Sequence, residues 1–165
     1  MARAKLLILE GVDVTGKSFY AKQLAKEADS YNLIETPRKA HGNTDEDYGF
    51  YNWLQGQIDS TKTNILDRFF VSNLVYEGYK AECGLPSLYN KEYEQDQWFL
   101  IKELYTGFDC SVLYHYATTC FDSAEYSLEQ YKSINYKYLN LALLDMHKHS
   151  SIANIQIKGV AQTWL

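Results

Sequence analysis

The apolar and polar positions divide the chain into two kinds of segment. Short aliphatic runs such as "LLIL" (Leu6 to Leu9) alternate with longer stretches whose apolar residues recur every three or four positions. The first kind reads as buried strand, the second as amphipathic helix. Strands are expected at Lys5 to Glu10, Tyr31 to Glu35, Thr63 to Asp67, Cys110 to Tyr116 and Ile152 to Ile157. Helices are expected at Lys17 to Ala28, Asp45 to Gln57, Val71 to Glu82, Lys91 to Thr106 and Ser123 to His147. "KAHGNTDEDYG", Lys39 to Gly49, reads as an exposed loop. No internal repeat, low-complexity tract or Pro/Gly-rich linker interrupts the alternation.

Strands that alternate with helices pair in parallel through right-handed crossovers. The expected fold class is therefore α/β, three layers, with a parallel sheet of about five strands flanked by helices. Ligands of such sheets bind at the carboxyl ends of the strands. Those ends carry Glu10, "ETPR" (Glu35 to Arg38), "DRFF" (Asp67 to Phe70) and "ATTC" (Ala117 to Cys120). Charge gathers at three of the four.

A length of 165 residues fits one domain, 1–165, with room for a core. The net charge of −5 and the lack of any Lys/Arg cluster argue against nucleic acid as the main partner. No run approaches a membrane span, and the N-terminus has no long apolar leader. Cys83, Cys110 and Cys120 lack metal-ligand spacing, and an odd count suits a reducing cytosol. His41, His115, His147 and His149 show no ligand pattern; the last two, two apart on a helix, point to different sides. Fifteen tyrosines, among them Tyr114, Tyr116, Tyr126, Tyr131, Tyr136 and Tyr138, are expected to pack on the sheet and on one helix face.

"GVDVTGKS", Gly11 to Ser18, changes the picture most. It follows the first strand, precedes the first helix and has the spacing of a Walker A loop. Glycines let successive backbone N–H groups turn inward as an anion nest, and the helix N-terminus adds its partial positive charge. Gly11, Val14, Thr15, Gly16, Lys17, Ser18 and Phe19 are the expected phosphate-binding residues for ATP. Lys17 would reach the β and γ phosphates and the Ser18 hydroxyl would ligate Mg²⁺. Asp67, an acid at the end of a later apolar strand, fits the Walker B position, directly or through water. Arg68 beside it offers a planar fork for a second phosphate.

"LEGVDVTGKS" followed by "DRFFVSNLVYEG" resembles the thymidylate kinase family, with its E-G-x-D-x-x-G-K-[ST] loop and later D-R-[YF]-x-x-S-x-x-A-Y-Q-G segment. The match covers roughly the first half of the chain; the second half agrees in element order. Asp13, an acid inside the loop, is the informative detail. The resemblance implies that Asp13 accepts a hydrogen bond from a deoxynucleotide 3′-hydroxyl and helps place the metal, and that Arg68 and Arg38 contact the acceptor monophosphate. It further implies that Tyr76 and Glu77 lie against the base or sugar. Of the aromatics Tyr48, Phe50, Tyr51 and Trp53, which offer a stacking partner, Tyr51 is counted among the substrate-binding residues. A cytoplasmic homodimer, joined through helices such as Val71 to Glu82, also follows from the family. The compact length and shortened lid suit a virus-encoded enzyme.

Two departures stand out. Glu77 occupies the place of a family Gln, and an ionised Glu only accepts hydrogen bonds, which alters the expected base preference. No arginine follows Arg68, so the short lid expected within 118–137 has only Lys132 and Lys137 to meet charge on the transferred phosphoryl group. Lys132, or Arg38 from the other side, is the expected substitute. The leading expectation is an ATP- and Mg²⁺-dependent deoxynucleoside monophosphate kinase, with dTMP the first acceptor. The alternatives are a deoxynucleoside kinase with Glu35 as general base and a nucleotide-binding regulator; "NKEY", Asn90 to Tyr93, lacks the aspartate of a guanine-reading motif.

Overall fold

The structure, a computed structural model, describes residues 3–12, 17–27, 29–35, 44–119 and 126–161, with the backbone alone for 44–48. Its elements are β1 (Lys5–Gly11), α1 (Lys17–Glu27), β2 (Tyr31–Ile34), α2 (Thr44–Gln57), β3 (Thr63–Asp67), α3 (Phe70–Glu82), α4 (Lys91–Gly107), β4 (Asp109–Ala117), α5 (Leu128–His149) and β5 (Asn154–Val160). The five strands form one sheet in the order β2-β3-β1-β4-β5. Every pairing is parallel, and the central register sets Leu9 opposite both Asp67 and Leu113.

Alternation along β1 sorts its side chains between the two faces of the sheet. Leu6 and Ile8 enter the large core with residues of α2 to α5, whereas Leu7 and Leu9 pack with Tyr20, Ala21 and Leu24 of α1. An unbroken apolar run is what a central parallel strand covered on both faces requires. Tyr105, Tyr114, Tyr131 and Tyr138 are fully buried, as the packing reading of the tyrosines expects, while Tyr136 is exposed.

Two assignments differ notably from the sequence expectation. α5 begins at Leu128, not near Ser123, because Ser127 and Gln130 form a reciprocal capping box that satisfies two otherwise orphaned N–H groups. The loop expected over Lys39 to Gly49 is helical from Thr44 onward, since α2 starts there; 39–43 lie outside the described residues. Asn90, met above in "NKEY", caps α4 by accepting the Tyr93 N–H at 2.8 Å.

Buried polar groups join the layers. The Asp145 carboxylate on α5, wholly buried, accepts the hydroxyls of Tyr105 on α4 and Tyr114 on β4, both at 2.6 Å. His149, one turn later, lies 2.9 Å away through Nδ1 and packs against the rings of Tyr105 and Trp98. His147 is exposed, so the two histidines do face different sides. At the other end of β4, the Asn135 side chain pairs with both backbone groups of Ala117, at 3.0 and 2.9 Å, and sets where the chain leaves the sheet.

Candidate functional site

The carboxyl ends of β1 and β3 bring together two sequence motifs 49 residues apart. The Ser18 hydroxyl, in the first turn of α1, donates to Asp67 Oδ2 at 2.6 Å. Parallel pairing of β1 with β3 allows this contact, because it sets Asp67, the last residue of β3, beside Leu9, two residues before β1 ends. Lys17 is 4% exposed, and burial lowers its pKa from the ordinary lysine value against the opposing pull of Asp67 and Glu10. A cation and two hard oxygen donors thus stand at one helix N-terminus.

Gly11 admits no side chain. Its φ is +145°, and a Cβ there would come within 2.4 Å of the His115 carbonyl oxygen. His115 lies on β4 opposite Gly11, buried, edge-on to Tyr20 with ring centroids 5.9 Å apart. Its Nδ1 is buried with no hydrogen-bond partner among the described residues. Burial, reinforced by Lys158 and Lys17, pushes its pKa down to about 4.

Arg68 holds φ +71°, a left-handed conformation that costs a non-glycine residue about 1 kcal/mol. Its N–H donates to the Leu9 carbonyl at 2.8 Å, and its guanidinium lies 5.7 Å from the Tyr76 ring centroid. Tyr76 thus has a place beneath Arg68 and edge-on to Tyr138.

Glu10 was given no role by the sequence, yet it sits between the two motifs with no exposed surface. Its Oε1 accepts the Phe69 N–H at 2.7 Å, and the Ser72 hydroxyl lies 2.9 Å from Oε2. Burial pushes its carboxyl up to about 8, while the Phe69 N–H, Ser72, Arg68 and Lys17 pull it down. The signal available in the sequence was an acid ending an otherwise aliphatic central strand.

These two shifts give opposite dependences of stability on pH. At Glu10 the folded chain binds a proton more tightly than the unfolded chain from about 4.5 to about 8, so stability falls as pH rises through that window. At His115 the folded chain binds it less tightly from 6.5 down to about 4, so stability rises with pH there. The two offset below 6.5, and above it His115 no longer offsets Glu10, whose own slope is at most about 1.4 kcal/mol per pH unit. Thermal melts of the wild type and Glu10→Gln should diverge between pH 6.5 and about 8, the variant holding steady while the wild type declines. Parallel curves would disprove the assignment.

Other expected site residues lie elsewhere. Tyr51 packs on Phe108, with its hydroxyl against Gly107, at the amino-terminal end of β4 and so at the opposite end of the sheet from Asp67. Phe50 and Trp53 pack on each other, and Phe50 on Phe70. Glu77 has partners of its own. It is 8% exposed, accepts the Leu88 N–H at 3.2 Å and pairs with Lys80, about 100° round α3 from Tyr76. Its carboxylate holds the segment between α3 and α4, a contact with no periodic signature. Glu35 stands exposed just beyond β2, and Phe19 is exposed on the first turn of α1. The second half of the expected lid is the start of α5, where Lys132 is exposed and Lys137 pairs with Glu82 on α3. Asp13, Val14, Thr15, Gly16, Arg38 and Cys120 lie outside the described residues, as does the side chain of Tyr48. Among the described residues no group of three His, Cys, Asp or Glu side chains could hold a metal, and no helix is long and apolar enough to cross a membrane.

No protein-family model matches the chain, and no curated protein matches it. Among solved structures it is similar to the thymidylate kinase of Candida albicans, at 17% identity and a TM-score of 0.61, over 98% of this chain and 84% of that one. The likeness is one of fold: a five-stranded parallel sheet flanked by helices.

Proposed function

We propose that this chain is a deoxynucleoside monophosphate kinase that transfers the γ-phosphoryl group of ATP to dTMP or a related acceptor. The observation that carries the reading is the 2.6 Å contact between Ser18 and Asp67, with Lys17 buried beside them and Arg68 next in the chain. In the transfer, an oxygen of the acceptor monophosphate attacks the γ-phosphorus, and the bond from that phosphorus to the bridging oxygen of ADP breaks. A phosphate oxygen is already a competent nucleophile, so the protein's task is positioning and charge. Lys17 meets the β and γ oxygens, Arg68 and Arg38 hold the acceptor phosphate, Asp13 the sugar, and Lys132 takes the place of a lid arginine. Ser18 Oγ and the Asp67 carboxylate are adjacent hard oxygens, the donor type that suits Mg²⁺, which when bound neutralises charge on the phosphates. A cytoplasmic setting and a homodimer come with this reading from the family resemblance.

The test is incubation with ATP, Mg²⁺ and, separately, dTMP, dCMP, dGMP, dAMP, thymidine and deoxycytidine, with the products resolved by chromatography. A diphosphate formed from one or more monophosphates is expected, and Asp67→Asn should slow its formation by about a hundredfold. Products from the nucleosides alone would move the chemistry to a 5′-hydroxyl acceptor and to Glu35. Binding of GTP with base selectivity and no turnover would point to a regulator.

A further inference from the structure

We propose that Glu10 caps helix α3 from the neighbouring strand β1 and thereby holds Arg68 in its left-handed conformation, acting as a positioning residue that ties the phosphate loop to the arginine. Phe69, the N-cap of α3, has an extended backbone and makes no side-chain capping bond of its own. The acceptor comes from outside the helix: Glu10 Oε1 takes the Phe69 N–H at 2.7 Å. Ser72, three residues along at the position a local cap would serve, turns its hydroxyl to the same carboxyl group, 2.9 Å from Oε2 and 3.1 Å from Oε1. The Ser72 oxygen lies 2.7 Å from the Tyr138 hydroxyl, which brings α5 into the cluster.

Arg68 is therefore bracketed by the same strand on both sides. Its own N–H is held by the Leu9 carbonyl and the next N–H by the Glu10 side chain. Two consecutive N–H groups anchored to consecutive residues of β1 leave the intervening peptide little room to relax out of φ +71°. Glu10 is also the residue before Gly11, so the backbone that opens the loop and the side chain that sets Arg68 belong to one peptide segment. The bond survives protonation. Oε1 accepts in either state, a proton on Oε2 can be given to Ser72, and either partner of the Ser72–Tyr138 pair can donate. Glutamine can reproduce this arrangement and alanine cannot.

The test compares Glu10→Ala and Glu10→Gln with the wild type by hydrogen exchange and by steady-state kinetics. The kinetic part rests on the kinase reading; the exchange part does not. Loss of a buried hydrogen bond is worth about a tenfold change or more. The Phe69 amide of E10A should therefore exchange at least about tenfold faster. The KM for the acceptor monophosphate should rise about tenfold while that for ATP stays within about twofold, and E10Q should restore most of both. Should E10A fail to fold, Glu10→Asp, too short by one methylene to span the same gap, takes its place with the same expectation. Wild-type protection of Phe69 in the folded variant overturns the proposal, as does an equal rise in both KM values. A wild type inactive on every acceptor would sink the kinase reading and leave the exchange result to decide the cap.

Discussion

Lys17→Met is expected to lower ATP-dependent phosphoryl transfer by roughly a hundredfold to a few thousandfold without lowering the melting temperature. The activity loss follows from removing a cation aimed at the phosphoryl charge of the transition state, a contribution of about 3–5 kcal/mol, at 1.36 kcal/mol per factor of ten. The stability argument runs the other way. Burial lowers the Lys17 pKa although Asp67 and Glu10 oppose it, so the folded chain holds this ammonium less readily than the unfolded chain does. Its charge then costs stability at neutral pH, and a methionine of similar length removes that cost. Initial rates and thermal melts on the same preparation separate the two effects. Activity within about threefold of wild type would end the phosphate-loop reading, and a parallel collapse of the melting temperature would assign the loss to folding.

Asp145→Ala should be the most destabilising single substitution in the core, by about 3–5 kcal/mol. It leaves two buried tyrosine hydroxyls and the His149 ring without the acceptor that all three share. Burial above all keeps both phenols protonated, so neither can substitute as an acceptor by ionising. For a chain of this size the loss corresponds to a fall of roughly 10 °C in melting temperature. Asp145→Asn should cost much less. Its Oδ1 can take both tyrosine hydroxyls, and its amide can donate to His149 Nδ1 once the ring carries its proton on the other nitrogen. Equal losses in the two variants would show that charge, not acceptor count, holds the α4–β4–α5 junction together.

Much of the fold was legible because it rests on local rules. β3 lies where the apolar run of Thr63 to Asp67 puts it, and the other strand and helix assignments differ from the structure mainly at their ends. The error at α5 came from extending a helical period through Ser123 and overlooking the S-x-x-Q box at Ser127 and Gln130. The loop expected over Lys39 to Gly49 overlaps the helix expected from Asp45, and α2 starts at Thr44, because polarity alone does not distinguish a helix start from a coil. In the candidate site, Lys17, Ser18 and Asp67 stand out in the sequence by type and spacing, and the fold brings Ser18 to Asp67. Where Tyr51 and Glu77 lie could not be read from the chain, since chemical suitability does not say which end of the sheet or which segment a side chain reaches.

The sequence by itself determined the element order, the parallel sheet and the spacing of the glycine-rich segment from Gly11 to Ser18, because periodicity and glycine spacing are properties of neighbours along the chain. Only the tertiary structure decided that Ser18 meets Asp67, that Glu10 reaches across to cap α3, and that Asp145 gathers three donors from three elements. Each of those contacts joins residues that the register of parallel strands, or the packing of a helix on the sheet, brings to one place. Except for the helical step from Asp145 to His149, no spacing along the chain encodes them.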